Sequence, residues 1–575
     1  MATDLTNGKI LRSAEWFGTR DLEGFLHRAG LKNQGWSEES FAGRPVIGIA
    51  NSWSEATHCN AHLRGLAEHV KRGVLAAGGF PIEFPTISLG EFFLSPTSMF
   101  CRNLMSMDTE EMIRGLPIDG VVLLSGCDKT TPAMLMGAAS ADLPAVVLTG
   151  GPQLKGNWKG EELGSCTDCR RYWAELRAGT ITQEDYDSME AAIYRSPGHC
   201  MVMGTASTMG AIVETLGMSL PGGAAVPGAD SRRKILAEDS GRAAVDLVRK
   251  GIRPSDILTQ DAFDNAIIHL TAIAGRAGIK LPLERFNELS ESTPVIVNLK
   301  PGGKYLMEDL FYAGGIEAVL KKMSNLLQLD CLTVTGKTLG DNIVDAECHN
   351  DDVVLSPEAP LAKEGGLTVL KGSLAPDGAV IKHIAASPEL MKHTGRTVVF
   401  ENPLDLKNRI DDLDLDVTRD DILVMKGAGP VGGPGMPEAG FLPLPKKLLA
   451  EGVRDMVRIS DARMSGTAFG TIVLHVSPES TVGGPLALVQ SGDMITLDVE
   501  AKTLDLNVNA DELDRRRANL AAPAVDGGFE RGYGKMYSQH ITQAQDGCDF
   551  DFLIGKTPVE THVELAGHNA GFHTG

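Results

Sequence analysis

Short continuous apolar runs alternate with segments whose apolar residues recur every three or four positions along the first part of the chain. Pro45-Val46-Ile47-Gly48-Ile49-Ala50 reads as a buried strand ending in the polar loop Asn51-Ser52-Trp53-Ser54. Leu63, Leu66, Val70 and Val74 then repeat at helical spacing until Gly78-Gly79 stops the helix. Val121-Val122-Leu123-Leu124 and Ala145-Val146-Val147-Leu148 predict two more strands. Apolar strands separated by helices make a mostly parallel sheet covered on both faces. Near Gly365 the pattern changes. Leu367-Thr368-Val369-Leu370 and Ala379-Val380-Ile381-Lys382 flank a Pro-Asp-Gly turn at 376–378, and residues 494–499 and 503–508 alternate as a hairpin does. The predicted fold class is therefore α/β: a doubly wound parallel-sheet domain over 1–364 and a β-barrel-like domain over 365–575, with a glycine-rich loop at 426–440. No repeat or low-complexity linker separates them, so the two parts are expected to pack closely.

Size agrees with more than one core, since the chain has 575 residues. A formal charge of −21 argues against nucleic acid or an anionic membrane as partner. A small anionic substrate remains open, because a metal supplies local positive charge. No apolar run reaches the length of a membrane span. Met1-Ala2-Thr3-Asp4-Leu5 carries neither the basic nor the apolar region of a signal peptide. Nine scattered cysteines do not form a secreted disulfide framework. A cytoplasmic location is expected.

Cys127-Asp128-Lys129 follows a buried strand at the position where open α/β sheets bind ligands. Thiolate prefers iron or zinc and carboxylate prefers magnesium or manganese, so two unlike metals could meet there. A buried structural cysteine beside a surface Asp-Lys pair is the plainer alternative. Cys59 and Cys200 also fall in loops. Their spacing fits no zinc finger or ferredoxin, but suits ligands gathered from separate strand ends. Three thiolates would leave one cluster iron with an open position, a Lewis acid. Cys166-Thr167-Asp168-Cys169 is a single C-x-x-C pair, read as a surface feature, so a change at Cys166 is expected to leave a cluster intact. Glu91, after a strand-like segment, and Glu438, ending Gly432-Gly433-Pro434-Gly435-Met436-Pro437-Glu438, are candidates for the second metal. Ser465, in Asp461-Ala462-Arg463-Met464-Ser465-Gly466-Thr467, lacks a nucleophile elbow. A serine near a cation is able to act as a base; on the residues alone, an ordinary turn serine is the better reading.

Taken together, these motifs resemble the family of dihydroxyacid, 6-phosphogluconate and sugar-acid dehydratases. The resemblance runs from about Leu11 to Leu553. Its markers include Arg44-Pro45-Val46-Ile47-Gly48-Ile49, Gly126-Cys127-Asp128-Lys129-Thr130-Thr131-Pro132, Asp230-Ser231-Arg232-Arg233-Lys234, the stretches 432–438 and 461–467, and Gly483-Gly484-Pro485. Thr130-Thr131-Pro132-Ala133 and residues 204–209 look most like the sugar-acid branch, which dehydrates pentonates and hexonates such as L-arabinonate. The resemblance implies an active site between an α/β domain and a barrel. It implies an iron–sulfur cluster on Cys59, Cys127 and Cys200, [2Fe–2S] in the sugar-acid branch and [4Fe–4S] in others. It further implies Mg2+ on Glu91, Asp128, Glu438 and a carbamylated Lys129, Ser465 as catalytic base, Thr467 beside the substrate, and a homodimer or homotetramer.

The implied reaction is loss of water from a 2,3-dihydroxy acid to give a 2-keto-3-deoxy acid. Two other readings are dihydroxyacid dehydratase of branched-chain amino-acid synthesis and a catalytically silent aldonate-binding paralogue. The silent reading draws on one departure from the family's pattern. A stretch with a Gly-Gly-Ser-Thr-Asn run is missing where Phe263-Asp264-Asn265-Ala266-Ile267 meets Ile268-His269-Leu270.

Overall fold

The computed structural model describes residues 10–266, 271–520 and 528–555. The Ile267–Ile268 junction lies outside the described residues. Four strands, β1 (Val46–Asn51), β2 (Phe80–Pro85), β3 (Gly120–Ser125) and β4 (Ala145–Thr149), form a parallel sheet in the order β2-β1-β3-β4. Every residue of β1, β3 and β4 is buried, which is why these segments read as unbroken apolar runs rather than alternating ones. Helices Leu63–Ala76 and Ser231–Lys250 pack on each other and on the sheet, as do Arg102–Gly115 and Thr130–Ala141. The chain winds outward from β1 to β2 and outward again from β3 to β4. The switch in winding therefore lies between β1 and β3, the position at whose carboxyl ends open α/β sheets bind ligands.

A two-stranded hairpin, β5 (Gly156–Trp158) and β6 (Glu161–Leu163), leads into the helix Ser165–Ala178. The second half holds an eight-stranded sheet: β7 (Thr368–Leu370), β8 (Gly378–Ile381), β9 (Lys392–Phe400), β10 (Ile422–Met425), β11 (Arg458–Ser460), β12 (Ile472–Ser477), β13 (Met494–Asp498) and β14 (Thr503–Leu506). Their order is β14-β13-β9-β10-β11-β12-β8-β7. A bridge between Lys371 and Thr503 brings the two edges together, so the sheet curls into a nearly closed barrel. Leu370, Ile381, Val424, Ile459, Val473 and Leu497 fill its interior.

Residues near the carboxyl end return to the first half. Tyr533, Tyr537 and Phe550 stack around one another, with Phe100 against the two tyrosines. The fully buried Arg276 pairs with Asp549 at 2.6 Å. A buried arginine of this kind is tolerated because its donors are matched: Asp549 takes Nε and Nη2, and Ser106 and Ser140 take others. Among the described residues, no helix is long and apolar enough to cross a membrane.

Candidate active site between the two halves

Cys59 and Cys127 stand in the loops after β1 and β3, on either side of the switch in winding. The loops touch because Gly126 has no side chain: a Cβ there would lie 2.5 Å from Asn60 Oδ1 and 2.7 Å from the Cys59 carbonyl oxygen. Asn60 organises the contact. Its Oδ1 accepts the Cys127 N–H at 3.0 Å, while its Nδ2 donates to the Ser52 carbonyl at 2.9 Å and to Ser88 Oγ at 3.1 Å. Gly126→Ala is expected to cost about 1–3 kcal/mol through overpacking against backbone. Denaturant unfolding checks the cost, and retained bound iron per chain would show that the loops tolerate separation.

The Cys59, Cys127 and Cys200 thiols are near enough for their charges to act on one another. Cys200 comes from the loop before the helix Thr205–Thr215. The neighbouring Cys127 thiol and then burial push the Cys59 thiol far above its ordinary range, and the neighbouring Cys166 thiol and then burial do the same to Cys200. Crowded buried thiols of this sort become thiolates only when a cation compensates them.

A second cluster adjoins the first, because Asp128 follows Cys127 directly. Glu91, Asp128 and Glu438 offer oxygen atoms that all lie within 4.8 Å of one another, the only such triad of metal-type ligands among the described residues. The three thiols are thus spread wider than one ion requires. Glu91 comes from the loop after β2 and is held by Thr97 Oγ1 at 2.7 Å and by the Ser98 N–H at 3.2 Å. Glu438 arrives from the glycine-rich loop after β10. Arg463, in the loop after β11, spans the halves, with Nη1 2.6 Å from Glu438 Oε1 and Nη2 2.7 Å from Glu91 Oε1. Lys129 Nζ is 2.6 Å from Asp128 Oδ2. Burial pushes all three carboxyls up. Arg463 outweighs it at Glu91, and Lys129 with Arg463 outweighs it at Asp128, leaving both below the usual range; at Glu438 burial wins. Lys129 and Arg463 pair with the three carboxylates, and Arg170 stands at the rim, 4.0 Å from Glu438. The donor chemistry fits both groups: oxygens for a hard cation, sulfurs for iron. Lys129 as an ammonium has no lone pair to offer and belongs to the oxygen set only after carbamylation.

Ser465 lies beyond Arg463 in the same loop. Its Oγ is 2.7 Å from Thr467 Oγ1, which in turn accepts a hydrogen bond from Arg170 Nη1 at 2.8 Å. A guanidinium only donates, so the single proton of Thr467 is free to point at Ser465 Oγ. The Thr467 N–H also approaches Ser465 Oγ at 3.4 Å. Donors aimed at one hydroxyl oxygen favour its anionic form. Arg170 Nη2, 4.0 Å from Glu438 Oε2, ties this loop to the carboxylates. Thr467 also packs on the Cys200 loop, where a Cβ at Gly204 would meet its methyl group at 2.7 Å. All nine residues singled out from the sequence therefore meet in one crevice.

Sequence reasoning missed Asn60, Arg170 and Arg463. Arg463 lay inside a quoted stretch, but its partner Glu91 is in the other half of the chain. The reading of the Cys166–Cys169 pair as a bare surface feature is corrected. The Cys166 thiol lies 3.2 Å from the Tyr194 hydroxyl, and the neighbouring Cys169 and Cys200 thiols hold it well below the usual thiol range.

Lys382 Nζ supports the Ser465 loop, donating to the Gly466 carbonyl at 3.0 Å. Burial pushes its pKa down to about 8. The folded state then binds its proton less tightly than the unfolded chain does, so stability attributable to this lysine rises with pH between about 8 and the ordinary lysine value of about 10.4. Lys382→Met is expected to raise the melting temperature over the parent most at or below pH 8, with the gain shrinking toward pH 10. Scanning calorimetry at pH 7 and 9.5 checks this, and a gain that widens with pH would rule it out.

Comparison with known proteins adds lineage. The family model described as dihydroxy-acid/6-phosphogluconate dehydratase N-terminal matches residues 44–342, and its C-terminal counterpart matches 352–548. The chain is 52% identical to an L-arabonate dehydratase of Azospirillum brasilense, over 96% of this chain and 98% of the relative. It is 48% identical to a 6-deoxy-6-sulfo-D-gluconate dehydratase of Pseudomonas putida, over 94% and 96%. A dihydroxy-acid dehydratase of Caldanaerobacter subterraneus is 38% identical, over 92% and 98%. The chain belongs to the dihydroxy-acid/6-phosphogluconate dehydratase family.

Proposed function

We propose that this protein is a hydro-lyase that removes water from a 2,3-dihydroxy sugar acid, an aldonate, to give the 2-keto-3-deoxy acid. The carrying observation is the junction at Cys127 and Asp128, where a crowded three-thiol group and a three-carboxylate group become neighbours. Higher identity to sugar-acid dehydratases than to a dihydroxy-acid dehydratase supports the substrate class.

Cys59, Cys127 and Cys200 would hold the iron–sulfur cluster, [2Fe–2S] with [4Fe–4S] as the alternative. Glu91, Asp128 and Glu438 would hold Mg2+, joined by Lys129 once its amine has added CO2 with loss of one proton. When bound, these groups supply a Lewis acid for the departing hydroxyl and positive charge beside the substrate carboxylate. The chain's own residues do the rest. Ser465 as an alkoxide takes the proton from C2, which is weakly acidic because an anionic carboxylate adjoins it. The electron pair left at C2 forms the C2–C3 double bond as hydroxide leaves C3, and the enol ketonises. Thr467 steadies the Ser465 oxygen before and after transfer, Arg170 fixes Thr467, and Arg463 holds Glu91 and Glu438 at one spacing. Glu91, Asp128 and the three thiols come from the first half and Glu438 and Ser465 from the second, so the site exists only where the halves pack together.

Iron, sulfide and magnesium analysis of anaerobically purified protein, joined to a 2-keto-acid assay on arabinonate, xylonate, gluconate and 2,3-dihydroxyisovalerate, tests the reading. Turnover of an aldonate with iron and sulfide present is expected. Preference for 2,3-dihydroxyisovalerate would move the protein to the branched-chain role, and aldonate binding without turnover would make it a silent paralogue. A homodimer or homotetramer in the cytoplasm is proposed on the family resemblance, and sedimentation of the purified chain checks the assembly.

A further inference from the structure

The helix Ser165–Ala178 begins in an unusual way. Ser165 takes a left-handed backbone conformation, φ 44°, which costs a residue with a side chain about 1–2 kcal/mol. Its Oγ accepts the Met201 N–H at 3.0 Å, pinning the helix start to the residue after Cys200. Within the next turn, Cys166 lies 3.2 Å from the Tyr194 hydroxyl and near enough to Cys200 for its charge to act there, Thr167 Oγ1 donates to the Thr467 carbonyl at 2.8 Å, and Arg170 donates to Thr467 Oγ1. One helical turn thus grips both a proposed cluster ligand and the loop of the proposed base. Cys169 lies in the same turn, three residues after Cys166, so the two thiols leave the same side of the helix. Residues three apart on a helix have Cα atoms about 5 Å apart, inside the Cα span a disulfide bridges. Both cysteines are partly exposed, unlike Cys59 and Cys127.

We propose that Cys166 and Cys169 form a peroxide-reactive dithiol, a second thiol site that closes to a disulfide beside the cluster ligands. The Cys166 sulfur attacks one peroxide oxygen: the S–O bond forms, the O–O bond breaks, and hydroxide leaves to be protonated as water. The Cys169 sulfur then attacks the sulfenic sulfur: the S–S bond forms, the S–O bond breaks, and a second water leaves. Two thiols are oxidised by two electrons in total and one hydroperoxide is reduced; an external dithiol reverses the change. Choice of Cys169 over Cys200 as resolving partner rests on the proposed function, in which the Cys200 sulfur is committed to iron. Closure draws Cys166 away from Cys200 and Tyr194 and re-aims the turn that holds Thr467.

The test treats anaerobically purified holoprotein with one equivalent of hydrogen peroxide, alkylates free thiols and maps the peptides by mass, with iron, sulfide and turnover measured on the same sample. A two-hydrogen mass loss confined to the peptide carrying Cys166 and Cys169, reversed by dithiothreitol, is expected. Turnover should fall and recover with it, by about a hundredfold if the base moves by about 1 Å. In Cys169→Ser, dimedone should trap a sulfenic acid at Cys166. Full alkylation of both residues after peroxide, or a Cys166–Cys200 link in iron-loaded protein, overturns the proposal. A chain lacking iron and sulfide that still closes the 166–169 bond would remove the cluster reading and leave the dithiol standing.

Discussion

Ser465→Ala is expected to lower kcat by about 10²–10⁴-fold, the range that loss of a positioned general base produces. Ser465 Oγ is the oxygen toward which the Thr467 hydroxyl and N–H converge, and no other hydroxyl in that loop has Arg170 ordering its neighbour. Removal of one oxygen leaves Cys59, Cys127, Cys200 and the carboxylate triad untouched, so iron, sulfide and magnesium contents should match the parent. Aldonate affinity, followed by calorimetry, should change little. A variant that keeps turnover within about tenfold of the parent would show that the proton goes elsewhere. Arg170→Met acts through Thr467 and should give a smaller loss, with a shift of the pH profile toward higher pH because the alkoxide loses its support.

Cys127→Ser is expected to abolish both visible absorbance and turnover. A serine oxygen is a hard, weakly acidic donor in place of a soft thiolate, and iron–sulfur centres depend on the latter. Cys127 lies near enough to both Cys59 and Cys200 for its charge to act on each, and its Sγ also reaches Asp128 Oδ1 at 3.4 Å. Iron and sulfide per chain should fall to the background of the assay, and the absent Lewis acid should cost several kcal/mol of barrier, about 10³-fold or more. Cys348→Ser is the proper control, since that thiol's contacts are with Asp351 and the Val354 carbonyl. Cys166→Ser is not neutral, because that sulfur leans on Cys200. Full absorbance in Cys127→Ser would remove this residue from the ligand set.

Legibility of the sequence followed the range of the forces. Strands β1, β3 and β4 were readable because burial on both faces demands unbroken Val, Ile and Leu. The two hairpins of the barrel were readable from alternation and a Pro-Asp-Gly turn, both local signals. Barrel closure was not, since the Lys371–Thr503 bridge joins residues whose pairing no local pattern encodes. At the site, chemical type and strand-end position picked out Cys127, Asp128 and Glu438. Arg463 looked like any loop arginine until its two carboxylate partners arrived from distant loops. The Cys166–Cys169 pair misled for the same reason. Its role depends on Cys200 and Tyr194, and nothing in C-x-x-C spacing says what lies opposite.

Cys127 and Asp128 are consecutive, so their Cα atoms stand about 3.8 Å apart whatever the rest of the chain does. The thiol that would help hold a cluster and the carboxylate that would help hold Mg2+ therefore hang from one peptide unit, so a shift of this loop moves both donor sets together and cannot part them.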